Sequence, residues 1–161
     1  MGTGKSGLYS GTYGSKASPG STDYMRPDDQ FSKNISKRKD KDVNGFYDYI
    51  AHGDPNKIEL NIGDKKYLVD HRTAARIIKQ DKKRTEKSIR LLSCDTGRGD
   101  HSFAQNLANK LNVKVMAPTK TLWSLPNGQY FVAGRRKDDP SRPDYNNKGI
   151  FKTFYPGGKK K

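Results

Sequence analysis

One thiol and three imidazoles carry most of the reactive chemistry available to this 161-residue chain: Cys94, His52, His71 and His101. Cys94 closes the apolar run Ile89-Arg90-Leu91-Leu92-Ser93, and His52 closes Phe46-Tyr47-Asp48-Tyr49-Ile50-Ala51, 42 positions earlier. Each opens a turn of small residues, His52-Gly53-Asp54-Pro55-Asn56 in one case and Asp95-Thr96-Gly97-Arg98-Gly99 in the other. In open α/β sheets ligands and reacting groups collect outside the carboxyl ends of the strands. If the two runs are neighbouring parallel strands, the imidazole and the sulfur emerge at one rim. A thiol of ordinary pKa ~8.5 is mostly protonated at neutral pH, so a nearby imidazole would act by favouring the thiolate or by protonating a leaving group. A helix amino terminus facing the sulfur would stabilise the thiolate further. Backbone N–H groups at Gly53 and Cys94 could form an oxyanion hole. The expectation is therefore Cys94 as nucleophile and His52 as its acid/base partner.

Other residues could support that pair. Asp48 and Asp95 are candidates to orient His52 or shape a pocket, Ser93 precedes the thiol, and His101 stands close enough in sequence to compete as the base. His71 reads as a surface residue at a helix start. Each assignment has a plain structural alternative: free cysteines are often core residues, and a histidine at a strand end can simply bond a backbone carbonyl. One cysteine excludes an internal disulfide framework. With three scattered histidines it shows none of the usual metal-ligand spacings, so no metal and no cofactor are expected.

The elements that must position these groups follow from periodicity. Gly45–Ala51 reads as a buried strand, Lys57–Ile62 and Lys65–Val69 as a hairpin around Gly63-Asp64, and His71–Lys83 as a helix capped by Asp70. Ile89–Ser93 is the central strand. Asp100 or Ser102 caps a helix carrying Phe103, Leu107 and Leu111, closed by Asn112. Val113–Met116 is a short strand stopped by Ala117-Pro118-Thr119, and Thr121–Leu125 with Gln129–Ala133 a second hairpin. Ile150–Tyr155 is a possible edge strand. Strands alternating with helices imply an α/β sheet with a mostly parallel centre.

Composition bounds the rest. Leu, Ile, Val and Phe number 28 of 161 residues, a level which with a net charge of +15 would suggest disorder, but 21 of them fall in 45–133. The expected organisation is a polar, glycine-rich arm over 1–42, an α/β core over 43–133, and a basic tail over 134–161. Within the arm, Ser32–Lys41 reads as a solvated approach. Gly2-Thr3-Gly4-Lys5-Ser6 resembles the end of a P-loop, but lacks the first glycine and a preceding strand. Met1-Gly2 with Ser6 fits a loose myristoylation pattern; an added start codon on an excised domain accounts for both. The excess of base, 32 Lys and Arg against 17 Asp and Glu, raises nucleic acid or an acidic protein as a partner. No stretch reaches the length of a membrane span, so no membrane is expected.

An apolar strand ending in His-Gly, followed some tens of residues later by one ending in Ser-Cys, resembles the dyad of caspase-like cysteine peptidases. Matched to that group, His52 is the catalytic histidine, Cys94 the nucleophile, and Gly53 the glycine of the oxyanion hole. The block from Gly45 to Trp123 is also similar to carboxy-terminal modules of bacterial polymorphic toxins such as Rhs and LXG carriers. Phe46–Gly53, Arg90–Gly97, Phe103–Leu111, Ala117-Pro118-Thr119 and Trp123 carry that similarity. The resemblances imply a caspase-like sandwich, with a central, mostly parallel sheet flanked by helices and with β-hairpins. They also imply a toxin effector domain, secreted or delivered into a target cell as part of a larger protein. It would cleave a target-cell protein or its own precursor and be neutralised by an acidic immunity protein. Two other classes stay open: a nucleic-acid-targeting, nuclease-like toxin, and a non-catalytic module that docks an acidic partner.

Overall fold

The computed structural model describes residues 20–40, 45–84 and 88–158. At its centre Phe46–Ile50 (β2) is buried at every position, as a strand covered on both faces must be. Ser21–Asp23 (β1) pairs with it in parallel on one side and Ser88–Leu92 (β6) in parallel on the other. Val115–Pro118 (β7) continues the parallel series beyond β6, and Phe151–Phe154 (β11) closes the edge antiparallel. The five-stranded sheet thus runs β1-β2-β6-β7-β11. Two small antiparallel sheets complete a mixed α/β fold. One is His52–Gly53 (β3), Ile58–Ile62 (β4) and Lys65–Val69 (β5); the other is Thr121–Ser124 (β8), Tyr130–Arg135 (β9) and Pro143–Lys148 (β10).

Alternation along the strands divides the core. Tyr47, Tyr49, Ile89 and Leu91 face helices His71–Lys79 (α2) and Phe103–Leu111 (α3), together with Ile58 and Leu60 of the β4 hairpin. Ile50 and Leu92 face the opposite way, packing with Leu122, Val132, Met25 and Ile35, the last on helix Gln30–Ile35 (α1). The caps are as the residue types dictate: Asp70 accepts from Thr73 N–H, Ser102 accepts from Gln105 N–H, and Asn112 takes the left-handed conformation that ends α3.

Several elements depart from expectation. The arm does not extend to residue 42, because β1 and α1 are part of the core. Ser21-Thr22-Asp23 carries no apolar strand signal, yet each residue is buried. Thr22 Oγ1 bonds Tyr47 Oη at 2.7 Å and donates to Asp81 Oδ2 at 3.0 Å, while Asp23 accepts from Met25 N–H at 2.8 Å. The run expected to be solvated buries Ser32, Asn34, Ile35 and Arg38. The phosphate-loop-like and myristoylation motifs lie outside the described residues. Helix α2 stops at Lys79 rather than Lys83: Asp81 Oδ2 is drawn inward by Tyr49 Oη (2.9 Å) and Thr22, and its other oxygen accepts from Lys83 N–H. Strand β7 begins two residues late and includes Pro118, which tolerates strand geometry at the end of a ladder. The segment after 134 is not simply a tail. β10 pairs with β9 through a bulge, and β11 is the edge strand foreseen at Ile150–Tyr155.

Candidate active site

The register of the central strands decides where the turns go. Ile50 stands opposite Leu92 and Tyr49 opposite Leu91, so the chain leaves β2 and β6 at the same edge. Two residues further on come His52 and Cys94. The turns touch through Gly53: a Cβ there would lie 2.8 Å from Thr96 Cγ2, 3.0 Å from Ser93 Cβ and 3.2 Å from the Cys94 carbonyl oxygen. Close approach, rather than an unusual backbone angle, is what demands glycine. The cysteine turn is held on several sides. Thr96 Oγ1 donates to Ser93 O at 3.0 Å, Ala104 N–H to Thr96 O at 2.9 Å, Asp95 N–H to Lys120 O at 3.0 Å and Gly97 N–H to Pro118 O at 2.8 Å. Asp95 itself adopts a left-handed φ of 61°.

The two reactive side chains each have a partner, and neither partner is the other. Cys94 Sγ accepts from Leu122 N–H at 3.3 Å and faces Leu122 O at 3.7 Å, half-buried against the Ile50–Leu92–Leu122 cluster. Burial pushes the thiol pKa up despite opposing contributions from the Leu122 amide and Arg135. The expected lowering by a helix amino terminus is therefore not what governs this sulfur; α3 begins only at Phe103. The His52 ring is 46 % exposed, and its Nε2 lies 2.5 Å from Asp29 Oδ2. That hydrogen bond and charge raise the imidazole above its ordinary 6.5. Burial pushes Asp29 upward, but His52 and the amides of Ser32 and Phe31 outweigh it and leave the carboxyl below its ordinary 3.8.

Asp29 was missed by the sequence reading, which took 25–29 as turn material. An available signal was an Asp before Gln30-Phe31-Ser32, since Asp29 is the N-cap of α1 and accepts from Phe31 N–H at 2.9 Å. Behind it Ser32 Oγ–H donates to Asp23, whose carboxyl is pushed up to about 7 by burial.

Of the supporting candidates, Asp48 is placed elsewhere. Its two oxygens accept from Arg38 Nε (3.0 Å) and Nη2 (2.8 Å) and from Arg90 Nε (2.8 Å) and Nη2 (2.6 Å), which leaves nothing for His52. Asp95 sits 3.6 Å from Arg98 at the wall of a cavity beyond the thiol. The buried Ser93 hydroxyl has no hydrogen-bond partner among the described residues. His101 is exposed, and the hydrogen bond it makes is through its carbonyl, to Asn106 Nδ2, rather than to Cys94. His71 is the first residue of α2. Trp123 lies on β8, its Nε1–H donating to Ala133 O at 3.0 Å. Among the described residues no three His, Cys, Asp or Glu side chains converge as metal ligands, and no helix is long and apolar enough to cross a membrane.

A family model described as Domain of unknown function (DUF8616) matches residues 20–132, a span that includes Asp29, His52 and Cys94. No curated protein and no solved structure matches the chain.

Proposed function

The chain belongs to the DUF8616 family, and from that premise we propose that it is a cysteine peptidase with Cys94 as nucleophile, His52 as acid/base and Asp29 as the residue that positions the imidazole. The observation that carries this reading is the meeting of the two strand-end turns through Gly53, at the carboxyl edge of adjacent parallel strands. A caspase-like sandwich is part of the same proposal. It is supported by a mostly parallel sheet in which the histidine strand precedes and adjoins the cysteine strand.

In the acylation step the sulfur attacks the carbonyl carbon of a peptide bond, forming a C–S bond as the C–N bond breaks. The thiol proton leaves through the solvent-accessible rim, and His52, protonated by virtue of its Asp29 partner, delivers a proton to the departing amine. The neutral imidazole then takes a proton from water, whose oxygen displaces the sulfur and releases the acid. The resting thiol is protonated and bonded to Leu122, so imidazole and sulfur meet across the substrate rather than as a preformed ion pair. The similarity to polymorphic-toxin modules makes this a domain delivered into a target cell. Its substrate would be a protein there or its own precursor, and the charge of +15 suits an acidic immunity partner.

The test is cleavage of a proteome-derived peptide mixture, with new termini read by mass spectrometry. The wild type should generate them, and Cys94→Ala and His52→Ala should lower the rate by about a thousandfold or more. Undiminished cleavage by either variant, or no cleavage by the wild type, overturns the assignment.

A further inference from the structure

Immediately past Cys94 lies a cavity of about 370 Å³ whose wall includes Asp95, Arg98, Lys120, Thr121, Arg135 and Asn147. Building on the peptidase reading, we propose that this cavity takes a carboxylate, the acidic side chain of the peptide substrate, between Arg98, Lys120 and Arg135.

Three observations argue for it. Position comes first: Asp95 follows the nucleophile in sequence, and Thr121 precedes Leu122, whose backbone holds the sulfur. A group seated there lies within a residue of the reacting carbonyl. Charge comes second. Asp95 engages Arg98 at 3.6 Å, but among the described residues neither Lys120 nor Arg135 forms an ion pair. Lys120 Nζ is bonded to the neutral amide of Asn147, and Arg135 Nη1 donates to the Pro140 carbonyl at 2.9 Å. Other surface arginines are neutralised nearby, Arg136 by Asp138 at 2.6 Å and Arg142 by Asp139 at 3.5 Å. Two uncompensated cations therefore border a concave site, which is the arrangement that receives an anion. Shape comes third. The Arg135 guanidinium is braced over the Trp123 ring at 5.6 Å, so its planar fork is pre-oriented. Gly134 leaves room for Asn147, whose amide would otherwise lie 2.3 Å from a Cβ.

The experiment compares alkylation of Cys94 by iodoacetate, which carries a carboxylate, with alkylation by neutral iodoacetamide at about pH 8, where thiolate is present. The iodoacetate-to-iodoacetamide rate ratio, taken relative to glutathione, should be raised at least about threefold, the size of a unit charge acting across a few water-screened ångströms. It should fall toward the glutathione value in Arg98→Gln and in Arg135→Gln, and stay unchanged in Lys152→Gln, a remote control that removes the same charge. A ratio equal to that of glutathione overturns the proposal, as does one indifferent to both arginine substitutions or a thiol that resists both reagents. Alkylation needs no peptidase activity, so this outcome is read separately from the cleavage test. If peptides are cleaved with no excess of Asp or Glu at the scissile bond, the pocket assignment falls while the peptidase reading stands.

Discussion

The Asp29–His52 pair is where single side chains matter most. It raises the imidazole above 6.5 and holds the carboxyl below 3.8. Its contribution to stability is therefore full below about pH 6.5 and above about pH 4. It is lost as pH rises through the raised His52 value, and again as pH falls through the lowered Asp29 value. Because the ring is 46 % exposed, water screens the pair and the expected contribution is about 1 kcal/mol or less. Asp29→Asn keeps an N-cap acceptor for α1 while removing the charge. We expect the His52 titration, followed by NMR, to move down, and the stability difference from wild type in urea to vanish above neutral pH. Asp23 behaves in the opposite sense. Burial lifts its carboxyl to about 7, so the fold loses stability as pH rises from about 4 through 7, where the unfolded chain ionises first. Asp23→Asn retains an oxygen for Ser32 and Met25, and should be more stable than wild type at about pH 8 by at least about 1 kcal/mol, with little difference at pH 4. Melting temperatures at the two pH values check this.

Among the elements, the contact between the β2–β3 and β6–α3 turns bears the functional claim. Gly53→Ala would force a methyl to within 2.8 Å of Thr96 Cγ2 in a turn fixed by backbone hydrogen bonds. A loss of about 1–3 kcal/mol is expected in chemical denaturation, together with reduced cleavage as His52 shifts. This pair of turns was legible in the sequence, because apolar runs interrupted by His-Gly and Ser-Cys announce both the strands and their ends. The helix caps at Asp70 and Ser102 and the hairpin at Gly63 were legible for the same local reason. What was not legible is tertiary. Strand β1 is polar, and it is stabilised by Tyr47 and Asp81, which lie 25 and 59 positions away. Asp29 meets His52 only because β1 pairs with β2 and brings α1 to the rim. Asp48 was misread because a carboxylate two residues from the strand's end suggested the site, whereas it faces two arginines beneath the sheet.

Over the whole molecule, buried charge ties the layers together. Asp48 on β2 binds Arg38, just after α1, and Arg90 on β6, while Arg90 also bonds Asp40 at 2.9 Å and Tyr130 of β9 at 2.8 Å. The Arg38 and Asp48 side chains are each 1 % exposed, so Asp48→Ala would strand two guanidinium groups. A loss of about 3–5 kcal/mol is expected, enough to unfold much of the protein at 37 °C, as circular dichroism would report. The same network fixes the second sheet over β6, and with it Leu122, the strand that holds Cys94. Fold and thiol environment are thus one arrangement, and the chemistry proposed for it is tested most directly by intact mass spectrometry of acid-quenched protein mixed with a peptide it cleaves. The account predicts an acyl adduct on Cys94 that is absent from Cys94→Ala and forms at least about a hundredfold more slowly in His52→Ala. Cleavage with Cys94 unmodified, or an adduct that forms as fast without His52, would contradict it.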